Sequence, residues 1–394
     1  MQLLRGIRVL DATKLLPGGF CTLMLADLGA EVVRIEDPAE ADHSRWGPLL
    51  VQQDRVYYQA LHRNKKSVVL DLKAGRGREI LLRLAGTADV FLESYRPEVK
   101  ERLGIGYRDL ESANPRVIYC SISGFGQDGP YRDRAGHDIN YLALAGILGI
   151  TGEAAGPAVV PGVQVADIGS GAMFAAVAIL AALHARERTG HGRYLDIAML
   201  DGAISWLSVH AAEYLAFGRP LRRGQMWLSG KWACYSIYRT KEGAYLSLGA
   251  LERKFWARFC AALGLEELVG WQYVEELQDE ARSRVQAVLL QKTRQEWTEF
   301  FGEQEVCCEP VLELEEALEH PQVQHRGLVL EIENAAGQVI KMPGTPFSSG
   351  QGDSMPPPEM GQHTREILAA LGYGEEDLSR LAAEGVIRYK DKEG

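Results

Sequence analysis

No CxxC pair occurs among the six cysteines, Cys21, Cys120, Cys234, Cys260, Cys307 and Cys308, so a chain of 394 residues signals neither a zinc site nor a disulfide framework. A reducing compartment, the cytoplasm, is the expectation. An excess of basic charge is missing too. Lys and Arg number 43 against 53 Asp and Glu, and a net charge of −10 argues against a general binder of nucleic acid or anionic membrane. The opening MQLLRGIRVLDA has no apolar core and no small-residue cleavage site, so it does not read as a secretory leader. The most apolar long stretch, residues 172–183, falls short of the roughly 20 residues a spanning helix needs and reads as a buried core helix. GxxxxGK[ST], HExxH and GxSxG are absent, which removes the usual anchors of nucleotide hydrolysis, zinc peptidase and α/β-hydrolase chemistry.

What is present is the balance of a folded enzyme, 46% hydrophobic and 24% charged. At roughly 150 residues per domain the length predicts two or three domains. Short β-branched runs at 6–11, 31–35, 67–72, 88–94 and 116–123 alternate with helical stretches at 19–28 and 77–85, the pattern of a parallel sheet with crossover helices. A long small-residue helix is expected at 172–186, a strand at 194–198 and a helix at 202–217, before a boundary at Gly218-Arg219-Pro220. The expected architecture is α/β. A large Rossmann-like domain spans 1–200 and is completed by 325–394, with a smaller α+β domain at 220–320 and a Gly/Ser/Pro-rich loop at 348–358.

The run from Gly124 to Gly129 matches GxGxxG after a strand, yet Pro130 follows where a dinucleotide fingerprint must open a helix, so it reads as a turn. Three titratable residues sit in contexts that a plain core does not favour. His137, in GHDINY, starts an apolar helix, where it is either a helix-end residue or an acid/base group. Asp167, in VADIGSG, stands before the long helix as either an N-cap or a reactive carboxylate. Glu252, in GALE, follows a buried-looking strand, where the plain reading is a solvated helix opener.

Together these segments resemble the family III CoA-transferases, a group that includes formyl-CoA transferase, carnitine CoA-transferases and α-methylacyl-CoA racemase. The resemblance runs nearly end to end. It is carried by LRGIRVLD (4–11), LADLGAEVVRIE (25–36), RNKKS (63–67), YRP (95–97), ERLG (101–104), SGFGQDGP (123–130), VAD (165–167) and GHG (190–192). Within it the racemase branch carries a His in GHDINY and a Glu in GA(I/L)E beside the shared Asp, and this chain has all three as His137, Glu252 and Asp167. The transferases' glycine-rich loop corresponds to 224–232, which here has only Gly224 and Gly230.

The resemblance implies an interlocked homodimer and an enzyme without prosthetic group or metal, whose substrate is an acyl-CoA thioester. It favours epimerisation of a 2-methylacyl-CoA, in which His137 and Asp167 exchange the α-proton on opposite faces, Glu252 orients or recharges His137, and the Ile168 and Gly169 N–H groups receive the enolate oxygen. The alternative is CoA transfer between carboxylic acids through an aspartyl-CoA intermediate on Asp167. In either case the matching basic residues Arg63, Lys65, Lys66, Arg96 and Arg102 are expected to hold the CoA phosphates. Met226, Trp227, Trp232 and Tyr235 read as either an apolar acyl surface or plain core.

Overall fold

The computed structural model describes residues 2–39, 50–51, 54–333, 337–348 and 354–389. Residues 349–353 of the 348–358 loop therefore lie outside the described residues.

By internal contacts the chain divides into two units, one of 1–145, 161–206 and 321–394, the other of 146–160 and 207–320. Residues 146–160 thus pack with the second unit, although the sequence pattern runs through them without a break.

The first unit is built on a seven-stranded sheet in the order Ile387–Arg388, Lys65–Leu70, Glu31–Glu36, Arg8–Ala12, Val90–Glu93, Ile118–Ser123, Tyr194–Ala198. All neighbours are parallel except the first pair, where Ile387 lies antiparallel to Leu70. In chain order the parallel strands run 3-2-1-4-5-6, the doubly wound arrangement in which the strand order reverses between Arg8–Ala12 and Val90–Glu93. Helices cover both faces, so the strands bury nearly everything: Val9, Leu10, Val68, Val69, Val90 and Phe91 are fully enclosed. The C-terminal helices Thr364–Ala370 and Glu375–Ala383 add Leu368, Leu378 and Leu381 to that core.

The long small-residue helix is longer than its apolar run suggests. A nine-residue π-helix, Val165–Met173, leads without interruption into the α-helix Phe174–Thr189. The 25 residues together are long and apolar enough to cross a membrane by length and composition. A core helix of a folded domain passes the same test, and this one buries Ala175, Ala176, Ile179 and Ala182. Its last turns bury Arg186, whose guanidinium donates to Asp89 Oδ1 (2.8 Å) and to the Arg116 carbonyl (3.2 Å).

The helix expected at 202–217 is two helices, Met199–Ser205 and Ser208–Phe217, broken at Trp206. The break turns the Trp206 ring onto the π-helix, where its Nε1 donates to Ser170 Oγ (3.0 Å) and the ring lies 5.6 Å from that of Phe174.

The second unit holds a three-stranded antiparallel sheet, Cys308–Pro310, Tyr245–Gly249 and Tyr235–Arg239, backed by the helices Arg253–Leu263, Gln278–Leu289 and Arg294–Phe301. Trp256, Phe259, Val285, Leu289, Trp297 and Phe301 fill its core. Met226 and Trp232 are buried as well, while Trp227 is about half exposed and stacks on Tyr273 at 4.8 Å. Met226 and Trp232 are therefore packing, while Trp227 is exposed and Tyr235 half-buried.

Candidate active site

The π-helix carries Asp167 in its first turn. Its small residues let neighbouring helices approach closely. A Cβ on Gly171 would meet Pro17 at 3.0 Å and Met199 at 3.1 Å, and one on Gly202 would fall 2.5 Å from Ser170 Cβ. Short π-segments inside helices are frequent at functional sites, because the widened turn re-aims side chains.

Asp167 is not an N-cap. The capping is done instead by Asp138, on the separate helix Asp138–Leu144, whose Oδ1 accepts from the backbone N–H groups of Ala166 (2.7 Å) and Asp167 (3.0 Å). One carboxylate oxygen thus satisfies two of the orphan donors at a helix start. Burial pushes the Asp167 carboxyl up to about 6, and the neighbouring negative charge of Asp138 adds to the rise.

His137 is the N-cap of the same helix that supplies Asp138. Its side chain makes no capping bond; its backbone N–H donates to Asn140 Oδ1 at 3.0 Å, and the imidazole is exposed. The helix therefore has two functions on adjacent residues: it presents a free imidazole and grips the backbone that carries Asp167. Tyr141, one turn on, packs its ring where a Cβ on Gly124 or Gly136 would stand, 2.6 and 2.8 Å from the ring, and donates its hydroxyl to the Gly136 carbonyl (2.6 Å). This is the structural use of the first glycine in the GxGxxG match. No helix opens after Gly129, and the segment is a turn.

Asp138 lies in the GHDINY segment, where sequence reasoning misses its role. An acidic residue in a first turn normally serves its own helix dipole, and nothing in the local pattern says that it caps another helix. The expected oxyanion role of the Ile168 N–H is corrected by the same geometry, since that group already donates to the Gln164 carbonyl at 2.9 Å.

Glu252 lies in the second unit, exposed, as the N-cap of Arg253–Leu263, directly beyond the strand Tyr245–Gly249.

The five basic residues separate into two groups. Arg63 and Lys65 do not fit the phosphate-holding expectation as folded, because both are buried and engaged internally. The Arg63 guanidinium is paired with Asp27, and Lys65 Nζ donates to the Gly19 carbonyl (2.9 Å) and Thr22 Oγ1 (2.7 Å), 3.6 Å from Asp11. Lys66 is partly exposed between Glu31 (3.1 Å) and Glu366 (3.2 Å).

Arg96 and Arg102 are exposed. Arg96 is the N-cap of Pro97–Leu103, just past the carboxyl end of Val90–Glu93, where the strand order reverses and open α/β sheets bind their ligands. The loop there is held at both ends. Glu93 accepts from the Tyr95 N–H (2.7 Å) and from Lys100 Nζ (3.1 Å), and the Lys14 N–H donates to Ser94 Oγ (2.9 Å). Among the described residues no group of three His, Cys, Asp or Glu side chains is placed to hold a metal ion.

Comparison with known proteins agrees with this geometry. Residues 4–364 match the model of CoA-transferase family III. The chain is 36% identical over 398 residues to succinyl-CoA:glutarate CoA-transferase of Mus musculus, covering 98% of this chain and 91% of that one. It is 35% identical to α-methylacyl-CoA racemase of Homo sapiens, covering 98% and 97%. Among solved structures, a CAIB/BAIF family protein from Brucella suis superposes with a TM-score of 0.80 at 29% identity, over 93% of this chain and 99% of that one.

Proposed function

Because the chain belongs to CoA-transferase family III, we propose that it is an acyl-CoA racemase that inverts the α-carbon of a 2-methylacyl-CoA by proton removal and return. The observation that carries this reading is the Asp138 clasp. It ties the helix capped by His137 to the start of the π-helix bearing Asp167, and Asp138 adds to the burial that holds the Asp167 carboxyl near 6. A carboxyl held near 6, on a helix tied to the one that carries an imidazole, is matched to general acid/base exchange at working pH.

One group takes the α-proton, the C–H electron pair moves into the thioester as an enolate, and the other group returns a proton to the opposite face. The roles swap with the handedness of the substrate. Glu252 takes the supporting role that the resemblance gives it. Arg96, Arg102 and Lys66 are the cations proposed for the CoA phosphates, with the thioester substrate serving as its own handle and no prosthetic group needed.

A second reading is favoured by the glutarate transferase relatives: Asp167 attacks the thioester carbonyl, and CoA then passes through an aspartyl-CoA thioester to a second acid. The two separate cleanly. Solvent deuterium should enter the α-carbon of a 2-methylacyl-CoA in the absence of any acceptor acid, and His137→Ala should lower that exchange by about 10²-fold or more. CoA transfer to an added carboxylic acid that survives His137→Ala and is lost in Asp167→Ala, with no exchange, would establish the transferase instead.

We also propose that the protein is a homodimer. The helix Ser208–Phe217 buries none of its residues within the chain and leaves Val209, Leu215 and Phe217 about two-thirds to four-fifths exposed, an apolar surface suited to a second copy. Light scattering of the purified protein should give twice the chain mass, and a monomer would refute it.

A further inference from the structure

The helix Asp138–Leu144 has two different faces. Asp138, Tyr141, Leu142 and Ala145 turn inward, where Asp138 clasps the π-helix and Tyr141 fills the space beside Gly124. Asn140, Ala143 and Leu144 turn outward and, with Phe125, Arg134 and Ala135, line a pocket of ≈ 350 Å³. The His137 backbone N–H donates to Asn140 Oδ1 at 3.0 Å, so the residue that carries the imidazole adjoins this outward row. The pocket therefore lies beside His137 and follows the helix from Asn140 to Leu144.

Its walls are apolar at Phe125, Ala135, Ala143 and Leu144, with one amide at Asn140 and one full charge at Arg134. Arg134 differs from its neighbour Arg132, which is paired with Glu98 (2.9 Å) and Asp133 (3.2 Å). The Arg134 guanidinium lies over the Tyr131 ring at 4.0 Å and, among the described residues, has no side-chain hydrogen bond or ion pair. Stacking occupies the face of a guanidinium and leaves its N–H fork free edge-on, which is the geometry that grips a carboxylate through two parallel bonds. Tyr131 is itself held edge-to-face against Phe125 at 5.6 Å, so the cation is mounted on the pocket wall.

We infer that this pocket is the acyl subsite and that it takes a short acyl chain ending in a carboxylate, recognised by Arg134. The inference rests on the acyl-CoA reading above and holds for either reaction, since it concerns the chain beyond the α-carbon. The volume suits a chain of a few carbons.

The test is calorimetric titration of the full-length protein with glutaryl-CoA and pentanoyl-CoA, two thioesters of equal chain length that differ in the terminal carboxylate. The wild type should bind glutaryl-CoA at least about ten-fold more tightly. Arg134→Met should bring the two affinities within about two-fold of each other, and Arg134→Lys, which keeps the charge but not the fork, should fall between. Equal affinities in the wild type, or a preference that Arg134→Met leaves intact, would overturn the assignment while leaving the acyl-CoA reading in place. Failure of both thioesters and of free CoA to bind would instead remove the acyl-CoA reading, and this subsite with it. Arg134 is exposed, and a melting temperature equal to wild type confirms that the variant is folded.

Discussion

At pH 8, Asp167→Asn is expected to melt at a higher temperature than the wild type while losing its activity. Burial first, and the Asp138 carboxylate second, raise the Asp167 carboxyl from 3.8 to about 6. A raised carboxyl pKa means that the folded chain keeps a proton the unfolded chain has released, between about pH 4 and pH 6. Stability is then lost as pH rises through that window, and the full penalty stands above it. Two pKa units correspond to at most about 3 kcal/mol. The neutral amide removes the penalty, and the backbone bonds from Ala166 and Asp167 to Asp138 stay in place.

The expected gain at pH 8 is therefore several degrees, shrinking toward zero near pH 4, as read by scanning calorimetry at both values. Turnover should fall by about 10³-fold or more, because either mechanism needs the carboxylate itself. Melting temperatures that differ equally at the two pH values would show that charge burial is not the cause.

Arg63→Met is expected to lower the melting temperature by about ten degrees, a purely structural effect. Asp27 is a buried junction. It accepts from Arg63, from Asn64 Nδ2 (3.1 Å), from Thr345 Oγ1 (2.6 Å) and from Ser348 Oγ (3.1 Å), so it ties the end of the helix Leu15–Asp27 to the C-terminal segment. Arg63 brings the cation of that junction and is completely enclosed. Removing one partner of a buried ion pair leaves an uncompensated charge and costs about 3–5 kcal/mol, which at 2–4 °C per kcal/mol for a chain of this size gives the stated shift.

The double variant Asp27→Asn with Arg63→Met should recover much of the loss, since no lone charge remains. Affinity for CoA thioesters, measured below the melting transition, should not follow the stability. A stable Arg63→Met protein with weakened thioester binding would return Arg63 to the phosphates.

How far the chain could be read from residues alone follows from where each signal is encoded. The strand Ile118–Ser123 was legible because a short, largely apolar run is the mark of a strand buried on both faces, whereas Tyr194–Ala198, only half-buried along most of its length, was legible from the turn at 189–192 that leads into it. The antiparallel Ile387–Arg388 was not, since two residues carry no periodicity and the pairing with Val69 and Leu70 is made by packing of the C-terminal helices. The break at Trp206 was missed for a related reason. The run 202–217 has no Pro to mark a break, and the bond from the Trp206 indole to Ser170 at that break is made to a helix distant in sequence.

In the site, His137 and Asp167 were found as residue types in informative segments, whereas Asp138 beside them was passed over because its effect is exerted on a helix 28 residues away. Arg63 and Lys65 illustrate the opposite error. Three basic residues within RNKK look like a solvent-facing patch, and local sequence does not show that two of them, Arg63 and Lys65, point into a core with Asp27 and Asp11 waiting there.

Composition, the βαβ alternation and the ordered family segments by themselves determined the α/β class, the Rossmann-like sheet and an enzyme of the CoA thioester family, because these depend on short-range periodicity and residue chemistry that any fold of the chain must respect. Tertiary structure alone decided which cations are spent inside, that Asp167 sits in a π-helix capped from elsewhere with its proton affinity raised, and that the helix behind His137 offers one face to the core and the other to a pocket with a free guanidinium. Burial and electrostatic coupling arise between residues distant in sequence, and they exist only once the chain has brought those residues together.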